Sequence, residues 1–264
     1  MNALQAVFVY ELKRSLTMGR MAWWFAMALF PVLVTILIRT LGDIQLRSNI
    51  AAQKSIWTVA LYILIPGVCV AMSVLLTAAP AVATELEGRS WVYLATRPNG
   101  IFWLLLGKFC VSMTWGTTAA WLGSIFSVAL CGMDEKLRMI VSLMAMSFLS
   151  AAAYSAVFML VGAIFPKRAM VFCMMYAIIV ELVFGSIPAV INRMTVQFRL
   201  RTLCVNWMPL DKEMKEDSVF QYVVLNGSSF MQCFWLVTLS VLFLVTAIVV
   251  AHRKEFTSAT EGDV

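Results

Sequence analysis

Polar positions divide this chain into long apolar runs. Windows with no charge, or one at most, cover approximately residues 21–38, 56–83, 109–131, 139–165, 169–191 and 230–251. A transmembrane helix requires roughly 17–25 such residues, so six spans are predicted. The second and fourth runs are long enough to tilt or to project beyond a bilayer. Pro66 predicts a kink in the second, because proline removes a backbone donor, and Pro188 predicts a break at the end of the fifth. Ahead of the first run, Leu4, Val7, Phe8, Leu12 and Leu16 recur at helical spacing while Gln5, Lys13 and Arg14 occupy other faces. This predicts an interfacial helix within residues 1–20, lying on the membrane. Charges continue to Arg20, the next run has spanning length and no A-x-A-type site follows it, so the N-terminus is expected to be retained rather than cleaved.

Composition agrees with this pattern. Hydrophobic residues make up 62% of the 264 and charged residues 13%, against roughly 45–50% and about 25% in soluble domains. The expected fold class is an all-α membrane protein, a single transmembrane domain over residues 1–264. The formal charge of +6 is spread over many short polar segments instead of one patch, which excludes a nucleic-acid partner and suits lipid headgroups and topology. With both termini cytoplasmic, ten of the 20 Lys and Arg residues lie inside and ten outside. Arg193, Arg199, Arg201, Lys212 and Lys215 of the outer set belong to one long segment, so the short loops favour cytoplasmic termini. Of the six cysteines, Cys69, Cys110, Cys173 and Cys233 lie in apolar runs as small hydrophobes, and no disulfide framework is expected. Cys131 and Cys204 are the one pair that could meet on the outer side.

The segment between the second and third runs, TELEGRSWVYLATRPNGIFWLLLGK (residues 84–108), carries most of the polar chemistry. Thr84 and Glu87 have capping-box spacing, Glu85 and Glu87 suit a helix start, and Arg97 suits its end. Pro98 and Asn99-Gly100 then force a turn. A helix from Glu85 to Thr96 is predicted, with Leu86, Trp91, Val92, Leu94 and Ala95 on its apolar side and Glu87, Arg89 and Ser90 left to water or a partner. Local physics alone describes a solvated helix that connects two spans.

The string ATELEGRSWVYLATRPNGIFWLLLGKF resembles the segment after the second span in type-2 permeases of ATP-binding-cassette (ABC) exporters. Glu85, Glu87, Gly88, Arg89, Tyr93, Leu94, Arg97, Pro98, Gly107 and Lys108 stand at the matching places. The resemblance implies that residues 84–100 form a cytoplasmic coupling helix, docked in a groove of a separate ATPase through Glu85, Glu87, Arg89, Ser90, Tyr93, Arg97 and Pro98. The N-terminal helix with Glu11, Lys13 and Arg14 is similar to the elbow helix of that family. Residues 162–201 resemble a subgroup with a basic turn after the fourth span, matched by Lys167, Arg168, Tyr176, Glu181, Pro188 and Arg201. Gln197 and Arg199 replace the histidine and serine common there. The implied partners are cytoplasmic ABC ATPase subunits, a second permease copy or a related permease, and the lipid bilayer. ATP with magnesium would be held by the ATPase, and the location would be the inner (plasma) membrane.

Glu181 is the one charged residue well inside an apolar run. An acid near the bilayer centre costs about 2.5–3.5 kcal/mol on insertion scales, so it should face other helices or a wet cavity. It either lines a translocation path or is hydrogen-bonded within the bundle, to Tyr176 or to a helix end. Residues 192–229 are too long for a plain loop. Val196, Leu200, Leu203 and Trp207 fit a helical stripe, while Met194, Val196, Phe198 and Leu200 alternate as a strand does, so helix and strand both remain open. The segment reads as an outer gate or as an interfacial helix plus loop.

Phosphate-loop spacing is missing: Lys108 is followed by Phe109, and no earlier glycine stands at the required place. Neither metal-ligand spacing nor a catalytic constellation is found, so no cofactor, metal or enzymatic activity is expected in this chain. His252 reads as interfacial, and the 18 methionines read as flexible packing. The functional expectation is a permease subunit that forms half of an ATP-driven path. The alternatives are an ion-coupled secondary transporter using Glu181 and a membrane assembly protein without transport.

Overall fold

The computed structural model describes residues 3–41, 50–88, 90–133, 135–183, 185, 192, 195–208 and 227–254, and every regular element among them is helical. α1 (Ala3–Ser15) is followed after two residues by α2 (Met18–Leu41). A second rod follows, made of α3 (Ile50–Tyr62), a π-helical turn (Ile63–Cys69), α4 (Val70–Ala78), a 3₁₀ turn (Ala79–Ala81) and α5 (Ala83–Glu87). α6 (Trp91–Ala95), α7 (Gly100–Cys131) and α8 (Lys136–Ile164) come next, then α9 (Ala169–Met175) with a π-helical continuation (Tyr176–Val183). α10 (Val196–Trp207) and α11 (Ser229–Arg253) complete the described chain.

Four of these stretches are long and apolar enough to cross a membrane: Met18–Leu41, Lys54–Glu87, Lys136–Ile164 and Ser229–Arg253. The predicted third run falls on α7, a helix of 32 residues whose apolarity is diluted by Ser112, Thr114, Thr117, Thr118, Ser124 and Ser127. The predicted fifth run is helical from Ala169 to Val183, while Pro188 and its expected break lie outside the described residues. Arg89, Arg193 and all of residues 209–226 also lie outside them.

Burial sorts the bundle into centre and rim. The Lys54–Glu87 and Lys136–Ile164 rods are each 67% buried over their most apolar window, whereas Met18–Leu41 and Ser229–Arg253 are 17% and 22% buried. The last two turn Phe25, Leu33, Leu37, Phe234, Val241 and Val245 outwards, as a rim helix facing acyl chains should. α8 is the hub, packed against α11, α7 and α4, while α2 packs on α7. Small residues allow the closest approaches. A Cβ on Gly162 would lie 2.2 Å from the Ala79 carbonyl oxygen, and one on Gly116 would lie 2.7 Å from Val74 Cγ2. Hydroxyls link the same helices, with Thr77 Oγ1 donating to Ser112 Oγ at 2.9 Å and Ser155 Oγ donating to Ser112 Oγ at 3.1 Å. Pro66 lies in the π-helical turn, and its carbonyl accepts a bond from Ser150 Oγ at 2.6 Å, so the predicted kink is realised as a widened turn held by the hub.

Two groups of polar contacts mark the ends of the bundle. Arg14, Glu85 and Lys108 meet at one end, which also holds the bond from Lys254 Nζ to the Ile164 carbonyl. At the other end Arg39 Nη1 reaches the Leu130 carbonyl, Lys54 pairs with Glu135, and Arg138 Nε reaches the Trp207 carbonyl. The N-terminal helix, the residue 84–100 segment and the end of α11 therefore share one end.

Candidate functional site: a charged junction and a buried carboxylate

Leu4, Val7, Phe8 and Leu12 of α1 are half-buried on the side turned to the bundle, where Val7 meets α7, and Leu16 is exposed beyond the end of the helix. The same inward face continues through Glu11 and Ser15, 8% and 2% exposed, because positions 4, 8, 11 and 15 share one side of a helix. α1 reaches α7 where a glycine stands: a Cβ on Gly107 would lie 2.5 Å from Val7 Cγ1. The indole of Trp115, two turns along α7, donates to Ser15 Oγ at 2.8 Å.

The single helix expected over Glu85–Thr96 is not formed. α5 ends at Glu87 and α6 begins at Trp91. Ser90 makes the break: its backbone N–H donates to the Glu85 carbonyl at 3.1 Å, and its hydroxyl bonds both that carbonyl and the Glu85 carboxylate. A serine side chain that returns to nearby acceptors competes with helix continuation. The capping box is also absent. α5 continues the second rod through Val82, which has helical dihedrals, so no free helix start exists for Thr84 to cap. The predicted turn is present, with Asn99 at φ 58° and Gly100 placed so that a Cβ would lie 2.4 Å from the Leu94 carbonyl oxygen.

Glu85 is the centre of the junction. Its Oε1 accepts from Arg14 Nη1 and from Lys108 Nζ, both at 2.7 Å. Lys108 also donates to the Ala81 carbonyl at 2.9 Å and to Thr84 Oγ1 at 3.0 Å, and lies 3.9 Å from Glu11. Glu11 stands 3.6 Å from Arg14. Burial opposes the charge of Arg14, yet the Glu85 hydrogen bond and the Glu85 and Glu11 carboxylates outweigh it and hold the guanidinium above its ordinary range. Two carboxylates thus tie α1, the second rod and α7 together. The position of Lys108 follows from geometry: 23 residues from Lys108 to Cys131 at about 1.5 Å each give about 35 Å, enough for a hydrocarbon core of about 30 Å.

The set read as partner-facing therefore divides. Glu85 is 3% exposed and Ser90 is half-buried, both committed to the junction. Glu87, Tyr93, Arg97 and Pro98 are exposed, Tyr93 at 75%. Arg89 lies outside the described residues. In the elbow set, Glu11 and Arg14 join the junction and Lys13 is exposed. Lys108 is the principal residue missing from the sequence-based site. Its signal was the Gly107-Lys108 pair ahead of an apolar run, which places a cation at a membrane boundary.

Glu181 lies within the bundle, 5% exposed. Its carboxylate accepts from the backbone N–H groups of Val196 at 3.1 Å and Gln197 at 2.9 Å, from Tyr176 Oη at 3.0 Å and from Tyr154 Oη at 3.4 Å. Thr195 Oγ1 takes the next donor, Phe198 N, at 3.2 Å. The first turn of α10 is thus satisfied by two side chains, and the carboxylate sits where a helix dipole favours negative charge. Gln197 extends the network: its Nε2 donates to Tyr154 Oη at 2.9 Å and its Oε1 accepts from Tyr62 Oη at 2.7 Å. Both hydrogen-bonded options read from the sequence, to Tyr176 and to a helix end, are present together. Tyr62 and Tyr154 had no local sequence signal, since each reads as an ordinary residue of an apolar run.

Helix rather than strand is the state of residues 196–207, and Val196, Leu200 and Leu203 are buried while Trp207 is half-buried. α10 does not lie on the surface. It starts beside Glu181, about 18 Å along the helix from Ala169, and runs outwards to the end where Trp207 meets Arg138. All six cysteines are free, Cys131 and Cys204 included. Among the described residues no group of three or more His, Cys, Asp or Glu is placed to hold a metal ion. Compared with the models of protein families and with curated protein sequences, the chain finds no match in either.

Proposed function

We propose that this chain is the membrane-spanning permease subunit of an ATP-driven ABC transporter working as an exporter. In this reading it crosses the plasma membrane six times with both termini cytoplasmic and pairs with a second permease copy or a related permease. Separate ATPase subunits hold ATP and magnesium. The observation that carries the reading is the exposed α6 hairpin, where Tyr93, Glu87, Arg97 and Pro98 project beyond two long rods while Glu85 anchors their base. A partner that closes on α6 pushes against a buried junction instead of a loose loop. Through Glu85, Lys108 and Arg14 that push reaches the second rod, α7 and α1 together, which suits a shift between inward- and outward-facing states.

Glu181 weighs against the ion-coupled alternative. A carboxylate that already accepts four hydrogen bonds, two of them from a helix start, serves as an anchor, and taking up a coupling ion would strip that helix of its cap. An assembly protein without transport has no structural feature in its favour.

The test is co-purification with a phosphate-loop ATPase encoded beside this chain, followed by ATP hydrolysis with and without the permease. Wild type should retain the ATPase and change its hydrolysis rate several-fold. Replacing Glu87 and Tyr93 together with alanine should abolish both effects at unchanged membrane content. Unchanged association and coupled hydrolysis in that variant would refute the docking role of α6.

A further inference from the structure

Beside the junction lies a cavity of about 230 Å³ between α1, the start of α2, the second rod and α7. Its charged lining is Glu11, Arg14, Lys108 and Arg20. Glu85 stands behind it, so three cations face two carboxylates. Arg14 and Lys108 are accounted for by Glu85 and Glu11 at the distances given above. Arg20 is left over. It is half-buried at the start of α2, and no hydrogen bond or ion pair joins its guanidinium to any other described residue. A guanidinium partly withdrawn from water without an acceptor is unfavourable unless something outside the chain supplies one.

The surroundings of Arg20 indicate what that acceptor is. The cavity wall adds the hydroxyl of Thr17, a donor suited to phosphate oxygens, while the hydroxyl proton of Thr77 is already given to Ser112. Arg20 and Thr77 also line a second, apolar crevice, together with Trp23, Trp24, Leu76 and Trp115. The three indoles make the crevice wall aromatic and apolar, and Trp24 and Trp115 meet edge to face at 6.4 Å. A polar chamber with a spare cation thus opens directly onto a wall suited to acyl chains. Its volume is below the roughly 300–1,000 Å³ of pockets that engulf whole small molecules, but it accommodates a headgroup. This is also the end of the bundle that holds both described termini.

We propose that Arg20, with Thr17, binds the phosphate of an anionic phospholipid whose acyl chains lie along Trp23, Trp24 and Leu76. The lipid is a structural ligand that completes the charge balance of the junction. The site requires only that the chain spans a membrane, so it stands or falls separately from the ATPase reading.

The test uses the full chain purified in a neutral detergent, with bound lipid counted by intact-complex mass spectrometry and thermal unfolding followed in parallel. Phosphatidylglycerol should bind at least tenfold more tightly than phosphatidylcholine and raise the unfolding midpoint. Arg20→Ala should remove that preference and Arg20→Lys should retain part of it, whereas Arg168→Ala, an exposed cation at the basic turn, should leave it intact. Millimolar inorganic phosphate should compete weakly. Equal binding of the two lipids by wild type would overturn the proposal without reference to any variant. So would an unchanged preference in Arg20→Ala. Full stabilisation by inorganic phosphate, with nothing added by phosphatidylglycerol, would assign the cavity to a free anion and refute the lipid.

Discussion

Glu85 and Glu181 are both acids turned into the protein, and they are satisfied by opposite means. Glu85 meets two cations, Arg14 and Lys108, at 2.7 Å. Among the described residues no cation meets the carboxylate of Glu181, which relies on two backbone N–H groups and two phenols. This difference sets what substitution should do. Glutamine at position 181 keeps one acceptor but turns an amide donor towards a backbone donor, leaving a buried group unpaired at about 1–3 kcal/mol. Glu181→Gln should therefore lower the thermal unfolding midpoint in detergent, and an unchanged midpoint would show that the carboxylate does not hold the start of α10. The sequence identified Glu181 as unusual because it is a lone charge in an apolar run. It gave no such signal for Tyr62, Tyr154 or Gln197, whose roles depend on three other helices arriving at the same point.

At the scale of elements, helical type and position were legible wherever apolar runs were long. The Glu85–Thr96 segment was not, because Ser90 had two ways to bond and only the buried Glu85 carboxylate decided between them. Residues 196–207 were ambiguous for a related reason: a twelve-residue element that is buried nearly all round shows helical and alternating patterns together. Helix-to-helix distance was equally hidden. Gly162 and Gly19 look alike in sequence, yet a Cβ on the first would lie 2.2 Å from the Ala79 carbonyl oxygen, and one on the second would meet nothing within 4 Å. Gly162→Val should force α8 away from the Ala79–Ala81 turn, at about 1–3 kcal/mol or more, and lower the unfolding midpoint by several degrees. Gly19→Ala should leave it within error. Equal behaviour of the two would mean that α8 and the second rod are not in that contact.

For the whole molecule, the distribution of ends is the property that a bilayer would convert into sidedness. Arg97 and Lys254 belong to the end that carries the junction, and Glu135 belongs to the opposite end with Lys54 and Arg138. Single cysteines introduced at these places should therefore separate. In intact cells a membrane-impermeant maleimide should label Glu135→Cys, and should label Arg97→Cys and Lys254→Cys only after the membrane is opened. Labelling of Arg97→Cys from outside would invert the proposed topology and remove α6 from reach of any cytoplasmic ATPase. The rim helices α2 and α11 leave broad apolar faces, which suits lipid contact.

The sequence by itself determined that this is a helical protein of long apolar elements, where most of them run, and that its few charges gather in short segments between them. These features follow from local composition and period, because a run of some twenty apolar residues has few stable arrangements outside a membrane. Tertiary structure decided which of those charges are exposed and which are buried. Glu85, Lys108, Glu11 and Arg14 come from three separate stretches, and their mutual pairing leaves Arg20 without an acceptor among the described residues. Coulomb attraction and desolvation act across space rather than along the chain, so only the packing of α1 against the second rod and α7 could settle which charges would meet.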